Sequence, residues 1–289
     1  MKQFMSQSMS FLARVKWRAS LRFTAVAAPC SLAALTLVIG CSSSASEAPT
    51  ASVQSAVTPT DGLDSPLLFD WQYYVNLYPD LKAAFGNNET ALRSHWLTAG
   101  IREARQASPV FDCTLYLGYY PDIKNAFGTD CAAAMRHFAS TGLPLEGRRA
   151  SIEFDVRYYL ATYSDLTNAF GSTGFLAAAN HFVGGGLWNE GRAGSSELDV
   201  VYYYCHYSDL RAAFGTNFRL LAQHYRSTGL PLEGRSGSPI FNPTIYLSQF
   251  TTLRNSVGAT NFLGAAYHWV IKSIAGSIVG TPRPRPSSC

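Results

Sequence analysis

From Leu68 onward, short apolar blocks alternate with fixed polar and glycine positions, and the pattern returns about every 43 residues. Its first residues are Phe69, Phe111, Phe154, Leu198 and Phe241, spaced 42, 43, 44 and 43 apart. Asp70, Asp112, Asp155, Asp199 and Asn242 follow them. Asp and Asn cap helices because a side-chain oxygen accepts from free backbone N–H groups, and an apolar residue before the cap acts as a hydrophobic staple. Aromatic-rich stretches come next: WQYYVNLY, CTLYLGYY, VRYYLATY, VVYYYCHY and PTIYLSQF. A nonapeptide then recurs as YPDLKAAFG, YPDIKNAFG, YSDLTNAFG, YSDLRAAFG and FTTLRNSVG. Its second residue (Pro, Ser or Thr) starts a helix, and its closing Gly stops one. Asp80, Asp122, Asp165 and Asp209 fall in the first turn, where a carboxylate suits the helix dipole. A third helix carries a His-aromatic pair in ALRSHW, AAMRHF, AAANHF, LLAQHY and AAYHW. It is expected to end at Gly100, Gly142, Gly186 or Gly229, with Ser273 at that place in the last copy. No stretch keeps the period-two alternation of a strand. The pattern predicts an all-α domain over 68–278 with five tandem repeats (68–110, 111–153, 154–197, 198–240 and 241–278). Each has about three short helices, packed as a solenoid-like or compact array.

The remaining chain differs in composition. Residues 1–41 hold five basic residues (Lys2, Arg14, Lys16, Arg18, Arg22) and no acidic ones. The formal net charge of +4 comes from this end, because the rest has 18 Lys+Arg against 19 Asp+Glu. A near-neutral body gives no electrostatic reason to expect nucleic acid. An uncharged run from Phe23 to Gly40 leads to Cys41 in LTLVIGC, which resembles the lipobox of bacterial lipoproteins. That resemblance implies cleavage before Cys41, a diacylglycerol on its thiol and a membrane anchor; no cofactor-binding motif occurs in the sequence, so no cofactor is expected. Ser42 after the cysteine implies outer-membrane sorting. The alternative is an uncleaved anchor, since 18 uncharged residues lie at the lower limit for spanning a bilayer. Residues 42–67, rich in Ser, Ala, Thr and Pro, read as a disordered tether, and 279–289 as a disordered tail.

Four features are candidates for chemistry. Glu-x-Arg closes four repeats, as Glu103/Arg105, Glu146/Arg148, Glu190/Arg192 and Glu233/Arg235, and is missing from the fifth, which no sixth follows. This predicts a junction in which Arg forks onto a carboxylate or carbonyl of the next repeat. His95, His137, His181, His224 and His268 persist in all five copies, as do Tyr74, Tyr116, Tyr159, Tyr203 and Tyr246. The functional reading is one ligand or metal site per repeat; the structural one is a buried Tyr–His pair. No CxxC, HExxH, GxSxG, P-loop or calcium-loop pattern occurs, so neither a metal nor a catalytic constellation is expected. Aromatic residues make up 13% of the chain. Gathered in one exposed groove they would mark a sugar site; buried, a scaffold. Cys113 and Cys131 can form a disulfide only if Pro121 breaks the helix between them, because one continuous rod would carry Cys131 out of reach.

The pattern F-D-x-x-Y-Y-L-x-x-Y-P-D-L…H-[WFY]…G-x-x-E-G-R resembles repeats of large secreted bacterial proteins, where they accompany hydrolase or calcium-binding modules. The resemblance covers about 210 residues and says little about activity. The expected function is a lipid-anchored, extracytoplasmic binding or scaffolding module at the cell envelope, with an envelope protein or glycan as partner. The alternatives are a carbohydrate- or cell-wall-binding lipoprotein and an envelope hydrolase.

Overall fold

The computed structural model describes residues 62–274. The expected signal segment, lipidated Cys41, most of the tether and the C-terminal tail lie outside them. Among the described residues the chain is all-α, with fifteen α-helices in a recurring order and no named strand. The helices are α1 (Trp71–Leu77), α2 (Pro79–Phe85), α3 (Glu89–His95), α4 (Cys113–Tyr119), α5 (Pro121–Phe127), α6 (Cys131–His137), α7 (Val156–Thr162) and α8 (Ser164–Phe170). They continue as α9 (Phe175–His181), α10 (Val200–His206), α11 (Ser208–Phe214), α12 (Phe218–His224), α13 (Pro243–Gln249), α14 (Thr251–Val257) and α15 (Phe262–Ile274). No helix among them is long and apolar enough to cross a membrane.

Local chemistry sets these boundaries. The Asp70, Asp112, Asp155 and Asp199 carboxylates each accept from two N–H groups at the start of α1, α4, α7 and α10, and Asn242 accepts from one in α13. One extended residue (Tyr78, Tyr120, Tyr163 or Tyr207) separates the first helix from the second. Leu81, Ile123, Leu166 and Leu210 then pin the second helix to the core.

The third helix does not run to its glycine as one α-helix. α3, α6, α9 and α12 stop at their histidine, and a five-residue π-helical turn carries the chain to Gly100, Gly142, Gly186 or Gly229. α15 lacks this turn and stays α-helical to Ile274. A second departure concerns residues 62–67, assigned above to the tether. They form turns packed on the first helices: Leu63 is buried, and its carbonyl accepts from Trp96 Nε1 at 2.9 Å.

The segments joining these groups stack near the centre. The N–H groups of Asp70, Asp112, Asp155 and Asp199 donate to the carbonyls of Ala107, Ala150, Gly194 and Gly237. The hydroxyls of Ser151, Ser195 and Ser238 donate to the carbonyls of Pro109, Ile152 and Ser196. α1 also packs against α12, far along the chain, with Gln223 Nε2 donating to Gln72 O at 3.1 Å.

Candidate functional site

The recurring histidines and tyrosines meet in pairs. His Nδ1 lies 2.9 Å from the tyrosine hydroxyl in Tyr74–His95, Tyr116–His137, Tyr159–His181 and Tyr203–His224, and 2.7 Å in Tyr246–His268. All five tyrosines are buried, while the histidines are half-buried. Burial holds His95 and His224 below the usual histidine range, and lowers His268 to about 4, with Lys272 adding to the effect. At those three positions the neutral ring is favoured and serves as a bonding partner for a phenol that water cannot reach. Among the described residues no group of three or more His, Cys, Asp and Glu could hold a metal ion.

Each Glu-x-Arg arginine binds an aspartate of its own repeat rather than the expected group of the next one, while the motif's backbone still meets the next repeat, where Arg157 donates to Glu146 O at 2.6 Å. Arg105 forks onto Asp80 at 3.0 and 2.7 Å, Arg192 onto Asp165 at 3.0 and 2.8 Å, and Arg235 onto Asp209 at 3.0 and 2.7 Å. Arg148 reaches Asp122 at 2.7 Å. Each Nε donates to the glutamate two residues earlier, Glu103, Glu146, Glu190 or Glu233. Each guanidinium also lies 4.6–4.8 Å above a tyrosine ring: Tyr78, Tyr120, Tyr163 or Tyr207. That tyrosine's hydroxyl accepts from the backbone N–H just after the Arg. The Arg hydrogen bonds hold Asp80, Asp122, Asp165 and Asp209 below the usual carboxylate range. Thr252 and Phe250 replace Asp and Tyr in the last copy, so the whole set is lost there together.

Cys113 and Cys131 are joined by a disulfide with Cα atoms 5.7 Å apart, bringing the starts of α4 and α6 together. Tyr120, extended between α4 and α5, makes the turn that permits this.

One cluster extends a contact that recurs: Gln106–Glu153 is matched one repeat on by Arg149–Glu197, while Arg226 and Tyr267 enter once. Glu153 is wholly buried and accepts from Tyr73 at 2.6 Å and from Gln106 at 3.2 and 3.3 Å. Arg226 Nε lies 3.5 Å from Glu153 Oε1 and donates to Gln106 Oε1 at 2.8 Å. Arg226 also donates to Asp112 at 3.0 Å, and the Tyr267 hydroxyl donates to the same carboxylate oxygen. Burial pushes the Glu153 carboxyl above its ordinary range, with Arg226 and the Tyr73 bond opposing. Nearby, buried Arg149 pairs with buried Glu197 at 2.5 Å. These contacts join segments up to 155 residues apart. Their enclosure suits a structural clasp rather than a place for substrate.

Sequence reasoning missed this clasp, although Glu153 and Glu197 each stand one residue before an apolar-Asp pair and Gln106 and Arg149 each follow a Glu-x-Arg. It also passed over Ser108, Ser151, Ser195 and Ser238, although each stands three residues before the next apolar-Asp or, for Ser238, apolar-Asn pair. Comparison of the chain with protein-family models, curated proteins and solved structures gives no match.

Proposed function

We propose that the chain is a lipid-anchored, extracytoplasmic binding or scaffolding module of the cell envelope. It is built from five units of about 43 residues, wound as a tight solenoid with about three units per turn. One observation carries the functional reading: two recurring sets of polar side chains bond inside their own unit. Tyr pairs with His, and Asp, Glu and Tyr surround Arg. Side chains engaged in this way build the array and leave recognition to surface positions that vary between units. The winding is supported by linker contacts between neighbouring units and by α1 packing on α12, the first unit on the fourth. The anchor is supported by the VIGC sequence alone.

The test uses the full chain in a bacterial host fed a labelled fatty acid. Wild-type chain should take up label and Cys41→Ser should not. The purified chain should be retained by one envelope fraction (sacculi, lipopolysaccharide or membrane proteins) and not by the others. Equal labelling of both forms removes the anchor, and retention by none of the fractions removes the binding role.

A further inference from the structure

The geometry points to a binding site for a neutral sugar chain in a cleft beside α1 and α12. This rests on the five-unit binding-module reading and names its ligand class. The cleft has a volume of about 310 Å³ and is lined by Asp64, Phe69, Asp70, Trp71, Arg93 and Arg219. Pockets of this size, with an aromatic wall and a few convergent polar groups, suit about one or two sugar rings.

Two of these residues break the repeat. At the place of Trp71 the other units hold Cys113, Val156, Val200 and Pro243, all buried. At the place of Arg93 they hold Met135, Ala179, Ala222 and Ala266, also buried. In the first unit a half-buried indole and a guanidinium stand there instead, both lining the cleft. Among the described residues no unit precedes the first, and a terminal repeat exposes positions that inner repeats bury; Trp71 and Arg93 use that exposure to line the cleft.

The polar groups select the ligand. Arg93 donates to the Asp64 carboxylate at 3.0 Å, to its carbonyl at 2.9 Å and to Glu89 at 3.0 Å, and lies 5.0 Å over the Phe69 ring. Arg219 pairs with Asp70 and stacks 4.2 Å from the Trp188 ring centroid. Each guanidinium already has a carboxylate partner, so a phosphate or a zwitterionic peptide would have to displace one. The pairs still offer donors beside acceptors, since guanidinium carries five N–H groups and carboxylate about four lone-pair sites. A pair of neighbouring hydroxyls donates and accepts at once and can join without breaking either ion pair. Trp71 supplies an apolar face for the C–H side of a pyranose.

The experiment is a tryptophan-fluorescence titration of the full chain, purified in a sugar-free detergent. The probes are neutral trisaccharides including maltotriose and tri-N-acetylchitotriose, with inorganic phosphate and an uncharged-side-chain tripeptide alongside. A saturable response to at least one trisaccharide is expected, weakened about tenfold or more in Trp71→Val and in Arg93→Met. Both substitutions insert a residue that another unit holds at that position, and Arg93→Met keeps the test open should Trp71→Val unfold. No response to any trisaccharide, a response unchanged in Arg93→Met, or binding of phosphate or tripeptide alone overturns the site. If envelope retention survives in both variants while sugar binding is absent, the binding module stands and the sugar cleft falls.

Discussion

At Gly186 a Cβ would sit 2.2 Å from the Tyr159 hydroxyl oxygen, whereas at Gly184 it would meet nothing within 4 Å. Both belong to the same π-helical turn, so they separate packing from backbone freedom. Gly186→Ala is expected to cost roughly 1–3 kcal/mol by overpacking the Tyr159–His181 pair. Gly184→Ala should be neutral or stabilising by up to about 1 kcal/mol, since alanine loses less backbone entropy. Adding Tyr159→Phe to Gly186→Ala should recover part of the loss, because the obstructing oxygen is gone. Urea denaturation of the four proteins checks this, and equal stability of the two alanine variants would dismiss it. The glycine was readable from its constant distance to the histidine. Its reason was not: a stop signal explains Gly100, Gly142, Gly186 and Gly229 equally well until the tyrosine oxygen beside each is placed.

The same difference between position and purpose appears among the helices. Asp caps, the break before Pro121 and the short second helix followed from local rules, because each rests on neighbouring residues. Asp122 did not. Its place in the first turn of α5 satisfied the dipole argument, and its bond to Arg148, 26 residues on, left no local trace. The joint loss of Asp, Tyr and Glu-x-Arg in the last copy is the signal the sequence offers, and it fits a missing partner as well as a missing neighbour. A double-mutant cycle on Arg148→Ala and Asp122→Ala should give a coupling of about 0.5–1 kcal/mol, modest because the Asp122 side chain is 58% exposed. Arg148→Ala with Asp165→Ala, across to the next group of helices, should couple by nothing measurable. Coupling to Asp165 instead would restore the junction reading. The joining role falls to the serines, such as Ser195, wholly buried with its hydroxyl 2.7 Å from Ile152 O.

For the whole molecule, the clasp around Glu153 and Arg226 ties distant segments that the repeat alone leaves separate. Periodicity marks Asp112, Glu153 and Gln106, which have counterparts in other repeats, but not Arg226 or Tyr267, which occur once and whose partners lie far along the chain. Arg226→Met would leave the buried Glu153 and Asp112 without their shared guanidinium, a change expected to cost about 3–5 kcal/mol. Glu153→Gln is the sharper test, because it preserves shape and removes titration. The folded-state pKa of Glu153 is raised, so as pH falls the folded protein takes up this proton before the unfolded chain does. Its contribution to stability therefore rises from neutral pH toward about 4.3, the ordinary glutamate value. His95, His224 and His268 act oppositely: their folded pKa values are lowered, so stability falls once pH drops below about 6.5. The wild-type protein should thus lose stability on acidification with Glu153 opposing the loss, and Glu153→Gln should lose it more steeply. Unfolding free energies of both proteins at pH 7, 6 and 5 decide the matter. Parallel curves, or a shallower fall in Glu153→Gln, would mean that Arg226 holds Glu153 as a carboxylate and that the clasp is a full ion pair.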